Sequence, residues 1–274
     1  MLRSPSQGYI LVLLAMVCSA CSTVPVTGRR SMAFIPQSQL SKISLDSYRA
    51  LLEESELSTD PNQLAYVGRV GERLAGATHA YLEANGYSTA GYVWEFNVIK
   101  EDDTINAFAM PGGKIAVYTG ILPITQSDAG LAVVMSHEIA HVLARHGNER
   151  MTQGLIAQLG GQALSAALSS QPERTNQLFM TSYGAVANVG VMLPFSRLHE
   201  SEADHIGMIL MAIGGYNPQE SIAFWQRMDA QSGGGKRPPQ LLSTHPEPGK
   251  RAERLNEHMS EAMTVYNRQM QKIQ

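Results

Sequence analysis

Along this chain the apolar residues fall mostly at helical spacing, with one short stretch of a different period. Residues 9–17 form an unbroken apolar run after an opening whose one basic residue is Arg3. That run is too short to cross a bilayer as an ordinary helix. Residues 22–36 are rich in Ser, Thr, Pro and Gly and show no period, so they are expected as a tether. From Ser38 to Glu56, Leu40, Ile43, Leu45, Leu51 and Leu52 restore a helical pattern. A second helix is predicted from Pro61 to about Ala77, with Asp60 as its cap and Pro61 at its first position. The period then shortens. Val93 to Ile99 alternates as a strand does, and Ile105–Met110 and Lys114–Tyr118 flank Pro111-Gly112-Gly113, a hairpin turn. Beyond it, helices fit Asp128 to about His146, Gln153–Leu168, Arg197–Ala212, Pro218–Gln231 and Pro248–Lys272. The expected class is α+β, predominantly α-helical, with a small antiparallel sheet.

Composition narrows this picture. Hydrophobic residues make up 44% of the 274 and charged residues 16%, which predicts a packed core and excludes global disorder. The net charge of −3, without a run of one sign, lacks the basic footprint of a nucleic-acid binder. Cys18 and Cys21 are the only cysteines, and both lie in the first 21 residues. Cleavage before Cys21 would leave it at the new N-terminus, as in the lipobox of bacterial lipoproteins, although Cys18 stands where such boxes carry Leu. A simple secretory signal or an uncleaved anchor is the alternative. Residues 1–21 are therefore expected as a lipoprotein signal peptide, 22–59 as tether and N-terminal helix, and 60–274 as the main domain. Ser22 is not the Asp that retains such proteins at the inner membrane, so Cys21 is expected to carry a lipid at the periplasmic face of the outer membrane.

The chemistry lies in His137-Glu138-Ile139-Ala140-His141. Residues four apart share a helical face, so both imidazoles can reach one zinc ion. Glu138 is offset by one position and can take a proton from a water at the metal. The flanking residues are apolar, and a buried glutamate without a partner is costly, which favours function over accident. A catalytic zinc needs a third protein ligand and an open position. The metzincin pattern would continue with Gly and His where this chain has Ala144 and Gly147, which excludes that class. A carboxylate on a later helix is the alternative, and Glu200 and Asp204 lie four apart on one face. Glu200 can ligate while Asp204 accepts a hydrogen bond from the outer nitrogen of a liganding histidine. Glu202 points elsewhere and reads as a solvated carboxylate.

Together, His137 to His141 and Arg197-x-x-Glu200-x-x-Ala203-Asp204 resemble metallopeptidase family forty-eight, the group that includes HtpX, the CAAX prenyl endopeptidase and the mitochondrial inner-membrane stress protease. Asn106-Ala107-Phe108 before Gly112-Gly113 is similar to that family's edge strand and hairpin. Thr244-His245-Pro246 with Arg251 is similar to its C-terminal signature, and Val24-Pro-Val-Thr-Gly-Arg29 to its bacterial lipoprotein members. The resemblance implies a gluzincin-type zincin and an endopeptidase with one zinc ion per chain. It implies His137, His141 and Glu200 as ligands, Glu138 as catalytic base, and Asp204 and Arg251 as outer supports. It also implies that His245 lies by the open metal position and stabilises the oxyanion. Asn106, Ala107 and Phe108 would receive the substrate as an added strand. The implied substrates are misfolded or misassembled cell-envelope proteins, with outer-membrane proteins or their assembly machinery as partners.

Other residues are expected to be ordinary. His146 would complement the end of the zinc helix. His79 and His258 would be surface residues, His199 and His205 lie off the Glu200 face, and Met208 and Met211 would fill core. Residues 193–196 or 232–239 are candidate gates over the metal. A chaperone with an auxiliary zinc, or a purely structural zinc site, are the competing functions.

Overall fold

The computed structural model describes residues 22–159, 172–183, 196–232, 240–245 and 248–273. The predicted signal peptide with Cys21, and most of both candidate gates (193–195 and 233–239), lie outside them. Among the described residues a ribbon of β1 (Ser22–Thr23) and β2 (Arg30–Ser31) comes first, followed by α1 (Gln37–Glu54) and α2 (Pro61–Ala84). The sheet strands are β3 (Glu95–Ile99), β4 (Ala107–Met110) and β5 (Lys114–Tyr118). Then come α3 (Asp128–Leu143), α4 (His146–Leu159), α5 (Pro172–Ser182), α6 (Arg197–Ile213), α7 (Glu220–Ser232), α8 (Gln240–Thr244) and α9 (Pro248–Ile273). No helix among the described residues is long and apolar enough to cross a membrane.

The protein is predominantly helical, as the periodicity predicts, but the sheet is mixed rather than antiparallel. β5 is central. β4 pairs with it antiparallel through Phe108 and Ala116, and β3 pairs with it parallel through Phe96 and Ile115. The hairpin fixes β4 against one flank of β5, so β3 joins the other flank and leaves β4 as an edge strand beside α3. The hairpin turns through Gly112 and Gly113, at φ 86° and 84°. A Cβ on Gly113 would also come within 2.9 Å of the Trp94 ring, so glycine is required on two counts.

Both faces of the sheet are covered. Ala107, Ala109, Ile115 and Val117 face the larger core, formed with α2, α3, α6 and α7. Their neighbours Phe108, Met110, Ala116 and Tyr118 face a second core with α1, α4 and α5. The period of two thus divides one hairpin between two cores. Met208 and Met211 are core residues, as expected.

Three local readings are corrected. Ser127 caps α3, accepting from the Gly130 amide at 3.1 Å, while Asp128 pairs with Arg69 at 2.6 Å. The helix expected to reach His146 ends at Leu143, because Arg145 takes a left-handed backbone (φ 59°) and α4 starts afresh at His146. Residues 22–36, read as a tether, are packed on the domain: Val24 and Ile35 are each 2% exposed, and the Asn148 side chain bonds the Ile35 amide and carbonyl at 3.2 and 2.9 Å. The few apolar residues of this segment seat one by one in existing cores, so no period announces them.

Candidate metal centre

α3 is buried along nearly its whole length, and it sets His137 and His141 one turn apart with their Nε2 atoms 3.0 Å from each other. α6 crosses α3 at Gly207, where a Cβ would lie 3.2 Å from the His137 amide nitrogen. This close crossing delivers Glu200 and Asp204. Glu200 Oε1 lies 3.4 Å from His141 Nε2, and its Oε2 lies 3.5 Å from His137 Nε2. His245, just after α8, brings Nδ1 to 2.9 Å from Glu200 Oε1 and 3.2 Å from His137 Nε2. One donor atom from each of His137, His141, Glu200 and His245 lies within 4.8 Å of the others, and all four residues are buried. Donors around a tetrahedral zinc at bond lengths of about 2.0–2.2 Å sit roughly 3.3–3.6 Å apart.

Proton placement makes the same point. Asp204 Oδ1 is 3.0 Å from His137 Nδ1, and His146 Nδ1 is 2.9 Å from His141 Nδ1. When both Nδ1 atoms donate outward, two Nε2 lone pairs face each other at 3.0 Å. With one donor atom each from Glu200 and His245 close to both, and Arg251 Nη2 also 3.0 Å from His137 Nε2, this inward convergence of imidazole nitrogens and a carboxylate is a donor set that fits zinc.

Asp204 also receives Arg251 Nη2 and Nε at 2.7 and 3.0 Å, while Arg251 Nη1 is 3.0 Å from Glu200 Oε2. The guanidinium lies 3.6 Å from the centroid of the Trp225 ring. Burial opposes the charge of Arg251, but the Asp204 and Glu200 carboxylates outweigh it and hold its pKa above the ordinary value. Burial likewise opposes the charges on Glu200 and Asp204. His245 and Arg251 hold the Glu200 carboxyl well below the usual range, and Arg251 with His137 lowers Asp204. Trp225 is a member of this site that sequence reasoning passed over, since nothing in its spacing distinguishes it from core.

Glu138 is 4% exposed, and its Oε1 makes no hydrogen bond among the described residues. His245 Nε2 is 3.4 Å from that oxygen. Burial pushes the Glu138 carboxyl up to about 7, against the pull of His245 and of a hydrogen bond from the Ala109 backbone on β4. His245 was expected beside an open metal position. The structure brings it among the donor atoms themselves, beside Glu200 and His137.

Asn106, Ala107 and Phe108 are 1–2% exposed. Phe108 lies edge-on to Tyr48 in the second core. Their side chains are therefore committed to the interior, and only the backbone of β4 can meet another strand. Glu202 is corrected from a solvated to a buried carboxylate. It accepts from His146 Nε2 at 2.8 Å and from Arg29 Nε at 2.7 Å. His146 is fully buried, and burial lowers its pKa to about 4, so it is a neutral imidazole at pH 7. His199 joins the same region, stacked on His146 with centroids 4.3 Å apart and 2.7 Å from Glu149. His205 sits near the surface with His258, 2.7 Å from Glu261.

Residues 61–259 match the model of Peptidase family M48. The chain is 34% identical over 245 residues to a mitochondrial metalloendopeptidase OMA1 of Schizosaccharomyces pombe, covering 87% of this chain and 66% of the relative. It is 28% identical to the Saccharomyces cerevisiae protein of the same name, covering 92% and 75%. It is 31% identical over 206 residues to the β-barrel assembly-enhancing protease of Escherichia coli, covering 74% of this chain and 40% of that one. The expected location is corrected by these matches. The two fungal relatives are named as mitochondrial and align over more of the chain than the E. coli protein, so lipid anchoring at the outer membrane is not supported.

Proposed function

We propose a function on the premise that this chain belongs to Peptidase family M48: it is a zinc-dependent metalloendopeptidase acting on proteins that have failed to fold or assemble. The enzyme class follows from the family and its metalloendopeptidase relatives, and zinc from the family and the buried donor group. The observation that carries the mechanism is Glu138, a buried carboxylate whose Oε1 lacks a hydrogen bond among the described residues beside the converging donors.

We assign His137, His141 and Glu200 as zinc ligands. When bound, zinc polarises the scissile carbonyl and makes a water acidic near neutral pH. Glu138 Oε1 takes the proton of the attacking water and returns it to the amide nitrogen that leaves, so the peptide bond breaks with water's atoms divided between the two products. A base with a pKa near the working pH suits both transfers. Asp204 holds His137 in the tautomer whose Nε2 faces inward. Arg251 holds Asp204 and Glu200 together.

In this reading His245, the fourth residue of the donor group, occupies the position that substrate and water need. We infer that substrate displaces His245, whose ring can then stabilise charge developing on the carbonyl oxygen. The substrate backbone adds to β4, whose outer edge borders the centre. The name of the E. coli relative, a β-barrel assembly-enhancing protease, supports proteins caught in faulty assembly as the substrate class.

The test is Glu138→Gln. Zinc content should stay at one per chain while cleavage of an unfolded protein such as casein falls by about 10²–10⁴-fold, the usual contribution of a general base. Undiminished cleavage would refute the assignment. Loss of zinc together with activity would favour a structural metal.

A further inference from the structure

The metal centre extends beyond its ligands into the N-terminal segment. We propose that Thr27 and Arg29, acting through Glu202 and His146, position the zinc ligand His141. This rests on the zinc site assigned above and adds to it the support of the second histidine.

The connection runs donor to acceptor without a break. With its Nε2 turned to the metal, His141 donates from Nδ1 to His146 Nδ1, 2.9 Å away. A neutral imidazole that accepts at Nδ1 must carry its proton on Nε2. That Nε2 lies 2.8 Å from Glu202 Oε2, which accepts it. Glu202 needs further donors to remain ionised in a buried place. Arg29 Nε donates to Oε2 at 2.7 Å and Thr27 Oγ1 to Oε1 at 2.5 Å. Arg29 is itself held by Glu149, with Nη1 and Nη2 at 2.9 and 3.2 Å from its two oxygens. The Met32 amide and His199 also meet Glu149.

Each end of this array is set by backbone. The left-handed Arg145 ends α3 and lets His146 open a new helix with its ring turned back on His141. Continued as one α-helix, residues five apart would lie about 140° apart around the axis. The turn at Val24–Gly28, closed by the Gly28 amide on the Val24 carbonyl at 3.0 Å, presents Thr27 and Arg29 on one side. Glu202 lies two residues after Glu200, on another face of α6 and toward α4. One helix thus supplies a carboxylate to the metal and another to the support of its histidine. Outer partners of a liganding histidine fix its orientation and are worth roughly 10–100-fold in metal affinity.

Zinc release to a chromophoric chelator tests this without using peptidase activity. Glu202→Gln and Arg29→Ala should each speed zinc release about 10–100-fold. Both should also shift the visible absorption bands of the cobalt-substituted protein. Arg29→Lys should restore part of the loss. Arg69→Ala, which breaks an exposed ion pair at the other end of α3, should leave release and spectrum unchanged. Melting of the metal-free proteins separates positioning from folding. The proposal is overturned if Glu202→Gln and Arg29→Ala keep the wild-type release rate and cobalt spectrum. It is equally overturned if they lower metal-free melting with no change in either. Failure of Glu138→Gln to abolish cleavage would leave this result standing, so the two ideas fail separately.

Discussion

The two histidines of one helix are supported in different ways. His137 meets a carboxylate directly: Asp204 accepts from its Nδ1, and Arg251, fully buried over Trp225, ties Asp204 to Glu200. His141 reaches its carboxylate only through a second imidazole, and the cation at the far end, Arg29, is 22% exposed. The first support is short, dry and drawn from α6 and α9. The second is longer, reaches the protein surface and depends on Thr27 and Arg29. In the low dielectric of the interior a direct ion pair is stronger, but losing one partner leaves an uncompensated buried charge. The His137 side should therefore be the costlier one to break.

Arg251→Met should have the largest effect. It strands Asp204 and Glu200 and should lower stability by about 3–5 kcal/mol, read by denaturant unfolding of the zinc-loaded protein. A loss below about 1 kcal/mol would mean that the His137 side is no better buried than the other. Asp204→Asn should weaken zinc binding by about 10–100-fold in chelator competition, and by more than Glu202→Gln does. The reverse order would invert the comparison. His245→Ala removes a donor common to both histidines. It should leave zinc bound by three ligands and increase the rate at which a short peptide is cleaved. A fall in rate with zinc retained would instead make its charge-stabilising role the dominant one.

The smallest effect concerns pH. Burial raises the Glu149 carboxyl, but His199 and Arg29 outweigh it and hold it far below the usual range. Because its folded pKa is depressed, its stabilisation is present above the unfolded value near 4.5 and fades as pH falls below it. Glu149→Gln should lower stability by on the order of 1 kcal/mol at neutral pH, a difference that vanishes as the pH falls well below 4.5, so the acid limb of the stability curve becomes flatter. An unchanged limb would show that Arg29 and His199 do not hold this charge.

Much of the centre was legible because it rests on short-range geometry. A spacing of four in His137–His141 and in Glu200–Asp204 fixes which residues share a helical face, whatever surrounds the helix. The hairpin around Gly112-Gly113 was legible for the same reason, since positive φ favours glycine. Glu202 and His146 were read as ordinary because their partners are remote in sequence. Glu202 meets Arg29 across 173 residues and His146 across 56. The parallel pairing of β3 with β5 was equally hidden, since alternation predicts a strand but not its neighbour.

By itself, then, the sequence determined the zinc-motif helix, the carboxylate pair of Glu200 and Asp204 on one helical face, the enzyme family and most helices, because each depends on local period or on residues in fixed register. Only the tertiary structure decided that His245 joins His137, His141 and Glu200 in one buried donor group, that residues 22–36 pack on the domain, and that Arg29 reaches toward His141. These depend on where separate elements cross. The crossing of α6 over α3 at Gly207 and the break at Arg145 set those meetings, through close packing and backbone conformation that no spacing along the chain records.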